Sequence, residues 1–182
     1  MQQIVERDTR DLDAFIAAIP GPTPGTVDLL ADAFTRAAER AGWKLQTIRR
    51  HPTFCRFILD RGDDSVELDL AVDSPLLEPT IAIDGIPVLT PRDLAARKML
   101  AIVDRLEARD YTDLHALAHL VGQQICVESA RTMDAGLSVR AIAEAFERID
   151  RIADDRYPER AADPATTRRY FTTWAQELLD DH

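Results

Sequence analysis

Asp11 and Asp13 stand two residues apart in the run Arg10-Asp11-Leu12-Asp13-Ala14-Phe15-Ile16. On an extended strand that spacing sends both carboxylates to one face and Leu12 into the opposite layer, an arrangement that can grip one or two divalent cations. A second run repeats the pattern, because in Val66-Glu67-Leu68-Asp69-Leu70-Ala71 the acids Glu67 and Asp69 share the face opposite Val66, Leu68 and Leu70. Taken alone, either run reads first as a strand whose polar side faces water. Taken together, carboxylates on neighbouring strands repel one another and destabilise the fold unless a metal ion or an arginine neutralises them. Asp11, Asp13 and Asp69 are therefore expected to meet on one face of a sheet.

The second group of chemistry-bearing residues is cationic. Lys98 and Arg105 are seven residues apart in a helical stretch, nearly in line and displaced from the apolar stripe of Ala95, Met99, Ile102 and Leu106. There they could present cations to a triphosphate. The plainer alternative for Lys98 is a surface ion pair with Asp93 or Asp104. Asp110 could cap the next helix, and Asp113 could sit in its first turn, where the helix dipole favours an acid. Because Asp13 and Lys98 lie outside the apolar stripes, replacing either with alanine is expected to cost no more than about 1 kcal/mol of stability.

These residues need elements to hold them. The first Asp-x-Asp run forms a short strand ahead of Pro20-Gly21-Pro22, and Thr26 opens a helix in which Val27, Leu30, Ala31, Phe34, Ala37, Ala38 and Ala41 recur at helical spacing before Gly42 stops it. Period-two patterning then gives strands near 45–50, 54–60 and 65–72, and Asp84-Gly85 between isoleucine and valine pairs marks a tight hairpin. After Thr90-Pro91 the chain reads as helical: one helix from Pro91, a second from about Tyr111 to Val121 ending at Gly122, a third carrying Val139, Ile142, Ala143, Phe146 and Ile149, and a fourth opening at Asp163-Pro164. The expected class is α+β, with an α+β half over residues 1–90 and a helical half over residues 91–182.

Bulk properties narrow the possibilities. The chain has 182 residues, with 22 Lys and Arg against 32 Asp and Glu for a net charge of −10, so long-range electrostatics repel nucleic acid and any RNA contact must come from a local basic patch. Lysine occurs only at positions 44 and 98. No apolar run is long enough to span a membrane and the N-terminus lacks the pattern of a signal peptide, so the expectation is a cytoplasmic protein with no membrane contact. Cys55 and Cys126 have no second cysteine or histidine at metal-ligand spacing and read as buried thiols.

Four blocks in order carry a resemblance: Thr9-Arg10-Asp11-Leu12-Asp13-Ala14-Phe15; Val66-Glu67-Leu68-Asp69-Leu70-Ala71; Asp93 to Ala101 with Arg105; and Arg109-Asp110-Tyr111-Thr112-Asp113-Leu114. Over roughly residues 7 to 120 the chain resembles the AbiEii/AbiGii (MenT-like) toxin family. The most distinctive part is Lys98 and Arg105 followed by Arg109-Asp110-x-x-Asp113. The resemblance implies a nucleotidyltransferase-like fold, a small mixed sheet with a helix followed by a C-terminal helical bundle. It implies Mg2+ held by Asp11, Asp13 and Asp69, nucleotide binding by Lys98, Arg105 and Arg109, and Asp113 orienting Lys98 or the acceptor. It further implies NTP as donor, the 3′ end of tRNA as acceptor, and a cognate antitoxin as partner.

One departure accompanies it. In the family a Gly-Gly or Gly-Ser turn precedes Asp-x-Asp by about a dozen residues and holds the triphosphate on backbone N–H groups. Here ten residues precede Asp11 and none is glycine. The expectation is a true start upstream of Met1; the alternative is a truncated, catalytically silent module that acts by protein binding or as half of a homodimer.

Overall fold

The computed structural model describes residues 11–17, 26–158 and 163–180, and the chain divides into two compact units, residues 8–75 and the helical remainder from Leu76. In the first unit, strand β1 (Asp11–Ala17) leads to helix α1 (Thr26–Arg40), then β2 (Lys44–His51), β3 (Phe54–Arg61) and β4 (Asp64–Asp73). The sheet order is β1-β4-β3-β2, with β1 parallel to β4 and the other pairs antiparallel. The antiparallel pairs follow from short turns, whereas the parallel β1–β4 pairing needs the crossover that α1 supplies.

The alternation legible in β3 and β4 decides which side is buried. Cys55, Phe57, Leu59, Leu68 and Leu70 form one core with Val27, Ala31 and Ala38 of α1. Phe34 packs at 5.7 Å, tilted, against Phe57, which is fully buried, and burying such a side chain is worth about 1.5–3 kcal/mol. Arg50 of β2 ties this edge strand to α1 by ion pairs to Asp28 (2.7 Å) and Asp32 (2.9 Å).

The second unit opens with a hairpin, β5 (Ile81–Ile83) and β6 (Ile86–Val88), whose two-residue turn puts Asp84 at φ 51° and Gly85 at φ 79°. Two positive φ values define a type I′ turn, which asparagine, aspartate and glycine tolerate best. Helices α2 (Pro91–Asp104), α3 (Ala108–Val121), α4 (Gln123–Met133), α5 (Val139–Glu147) and α6 (Pro164–Asp180) follow. Thr90 caps α2 by accepting from the Asp93 N–H at 3.2 Å, ahead of Pro91 in the first turn. The core gathers Met99, Ile102, Tyr111, Leu114, Ile142, Phe146, Phe171 and Trp174, and Tyr111 donates its buried hydroxyl to the Ala145 carbonyl at 2.7 Å.

The structure corrects several local expectations. Helix α2 stops at Asp104, so Arg105 stands on extended backbone (φ −136°, ψ 165°) and Leu106 is partly exposed instead of completing the stripe. Helix α3 starts at Ala108, with Glu107 at the cap position, which puts Asp110 in the first turn and Asp113 a turn beyond it. Helix α4 had no counterpart in the sequence reading. No helix among the described residues is long and apolar enough to cross a membrane.

Candidate functional site

In the β1–β4 register Asp11 is opposite Glu67, Leu12 opposite Leu68, and Asp13 opposite Asp69. Directly paired residues share a face, so Asp13 and Asp69 lie side by side on the face turned away from the Leu68 and Leu70 core. Asp13 is exposed and the Asp69 side chain is 17% exposed. Asp11 occupies the register position opposite Glu67, and its side chain falls outside the described residues. Leu12, paired with the core-facing Leu68, takes the opposite face as expected, but at 53% exposure it is only half covered, near the start of an edge strand.

The charge that such a face requires comes from Arg56, opposite Asp69 on β3. Its guanidinium takes both carboxylate oxygens of Asp69 in a fork, Nε to Oδ1 at 2.7 Å and Nη2 to Oδ2 at 2.6 Å, and reaches Glu67 at 3.1 Å through Nη1. Bidentate pairs of this kind are the strong form of a charge-assisted bond. The hydrogen bonds that Arg56 donates to Asp69 raise the Arg56 pKa above its ordinary value. Arg56 was not singled out from the sequence, although in Phe54-Cys55-Arg56-Phe57-Ile58-Leu59 it alternates with the buried Cys55, Phe57 and Leu59 and is thereby assigned to the acidic face.

In the second unit Lys98 of α2 holds two acids of α3, Asp110 at 2.9 Å and Asp113 at 2.8 Å. Arg105 adds a fork to Asp110, with Nε to Oδ2 at 2.7 Å and Nη2 to Oδ1 at 3.2 Å. Asp110 is fully buried and Asp113 nearly so, while Lys98 and Arg105 keep part of their surface in solvent. Burial pushes the Asp110 carboxyl up, but the hydrogen bonds from Arg105 and the charge and hydrogen bond of Lys98 outweigh it and leave it below the usual carboxylate range. Asp110 is therefore the pivot of the cluster and not a helix cap.

Neither suggested surface partner engages Lys98: Asp93 is fully buried and accepts from the Leu77 and Glu78 N–H groups at 3.0 and 3.2 Å, pinning the preceding loop. Arg109 lies in the first turn of α3, half-buried, its carbonyl accepting from Thr112.

What these groups can hold follows from their chemistry. Asp13 and Asp69 are hard oxygen donors, the type that divalent magnesium or calcium takes, and they lie on one face at adjacent positions. Among the described residues no three acids, thiols or imidazoles are grouped for a metal ion, and a cation on this face would compete with the Arg56 guanidinium for the oxygens of Asp69. Lys98 carries three N–H donors, two of them directed at Asp110 and Asp113, and its remaining capacity suits a phosphate oxygen.

The sequence profile for the nucleotidyl transferase AbiEii toxin of type IV toxin–antitoxin systems matches residues 2–181. Among solved structures, the chain is similar to the crystal structure of a candidate nucleotidyltransferase from H. pylori, with a TM-score of 0.61 at 16% identity, covering 97% of this chain and 80% of that one. At that identity the likeness shows the fold. No curated protein matches the chain.

Proposed function

This chain belongs to the AbiEii nucleotidyltransferase toxin family of type IV toxin–antitoxin systems, and from that premise we propose that it moves a nucleoside monophosphate from an NTP to the 3′ end of a tRNA in the cytoplasm. In this reaction the terminal hydroxyl oxygen of the acceptor forms a bond to the α-phosphorus. The bond from that phosphorus to the bridging oxygen breaks, diphosphate leaves, and the hydroxyl proton passes to a carboxylate or water. A nucleotide substrate and an antitoxin partner follow from the family.

The observation that carries the reading is the in-register pairing of Asp13 with Asp69 on one sheet face. With Asp11, these residues would hold Mg2+, which when bound neutralises triphosphate charge and lowers the pKa of the attacking hydroxyl. Arg56 fixes the orientation of Asp69 through its two-point fork until then. Lys98, with Arg105 and Arg109, binds phosphate oxygens, and Asp110 and Asp113 hold the Lys98 ammonium in place so that little ordering entropy is lost on binding.

The second reading, a silent binding module or half of a homodimer, is favoured by one contact: the Arg56 fork occupies both oxygens of Asp69. Incubating the chain with each NTP, magnesium and total tRNA, and resolving RNA length on a gel, separates the two. Tailed tRNA from the wild type and none from Asp69→Asn is the expected result. Unchanged tRNA with every NTP, from this chain and from an N-terminally extended form alike, would favour the module.

A further inference from the structure

His115 and His119 lie one turn apart on α3 and on the same face. Their Nε2 atoms approach to 3.1 Å. Tyr170 of α6 packs against the His115 ring at 4.2 Å between centroids, the planes tilted by 36°. His115 is buried at 8% exposure and His119 is open to solvent. The pair stands in a cleft of about 480 Å³ also lined by Gln123, Arg169, Tyr170 and Glu177. None of this is used by the nucleotide chemistry above.

Two imidazole nitrogens bound at about 2.0–2.1 Å to one tetrahedral ion stand roughly 3.3 Å apart, close to the separation found here. We propose that His115 and His119 form a two-histidine site for a divalent first-row transition-metal ion such as Zn2+ or Ni2+, with water completing the coordination. Imidazole nitrogen selects these borderline ions over the hard Mg2+ and Ca2+, which take oxygen donors, so the site is chemically separate from the aspartate face of the first unit. The solvent-exposed His119 side gives the ion its entry path.

Isothermal titration of the untagged full chain with zinc chloride tests this. One equivalent is expected to bind the wild type and the His51→Ala control. Groups that merely orient metal ligands are worth about 10–100-fold in affinity, so losing a ligand itself in His119→Ala should weaken binding by at least roughly that factor. His119 is exposed, so this variant should fold, which circular dichroism checks. Cobalt(II) in place of zinc should give visible tetrahedral absorption in the wild type that disappears in His119→Ala. Absence of stoichiometric zinc uptake by the wild type, or equal uptake by His119→Ala, would overturn the site and leave the two rings as a hydrogen-bonded pair.

Discussion

The ammonium of Lys98 lies 2.8 Å from the carboxylate of Asp113, one turn along α3 from the fully buried Asp110 that it also contacts. This geometry changes the cost of removing Lys98. The position off the apolar stripe points to a cheap loss; in the fold that loss would take from the buried Asp110 and Asp113 the ammonium that pairs with both. Breaking a fully buried pair costs about 3–5 kcal/mol, and with a quarter of Lys98 in solvent we expect about 1–3 kcal/mol for Lys98→Ala. Urea unfolding checks it, and Lys98→Met combined with Asp113→Asn should recover part of the loss. A cost under about 0.5 kcal/mol, the range of ordinary surface changes, would show that the acids do not depend on Lys98.

Asp13→Ala should behave in the opposite way. Asp13 is exposed, so unfolding free energy should change by less than about 1 kcal/mol. RNA tailing, by contrast, should fall by about two orders of magnitude or more, as when a charge-stabilising group is removed from a reacting centre. The paired measurement is a thermal melt with a tailing assay on the same preparation.

Stability should respond to acid through Asp110. Its folded pKa lies below its ordinary value, so its contribution is present above the unfolded carboxylate range, near about pH 3.9, and is lost as pH falls through the folded value. Arg105→Gln, at a half-exposed position, removes a main cause of the depression. Urea unfolding between neutral and acid pH should show a shallower loss for Arg105→Gln than for the wild type; identical slopes would contradict the assignment.

The two thiols should be inert in the native state. Cys55 and Cys126 are fully buried, and burial pushes Cys126 up to about 12, so the thiolate needed for alkylation is scarce. Iodoacetamide at mildly alkaline pH should label neither cysteine until denaturant is added, as read by intact mass.

Much of this arrangement is legible in the residues. Alternation of Val66, Leu68 and Leu70 with Glu67 and Asp69 anticipates which face of β4 is buried, and Asp84-Gly85 anticipates a turn that needs two positive φ values. What escaped depends on distant partners or weak local signal. Helix α2 ends at Asp104 where the Arg148 guanidinium accepts the duty of a cap, donating to the Ile102 and Val103 carbonyls from 45 residues away or more; no glycine marks the spot. Helix α4 buries only the small side chains of Cys126, Val127, Ser129 and Ala130, too faint a stripe to stand out between Gly122 and Gly136. Arg56 became part of the site only through its register with Asp69, because strand pairing is a tertiary fact.

In the proposed reaction the α-phosphate of the NTP ends on RNA while diphosphate leaves. The direct measurement gives the protein two preparations of each NTP with magnesium and total tRNA, one labelled at the α-phosphate and one at the γ-phosphate, and counts label retained on purified RNA. Retention is expected from the α-label alone, lost in Asp69→Asn. Retention of the γ-label would mean terminal phosphoryl transfer and would contradict it.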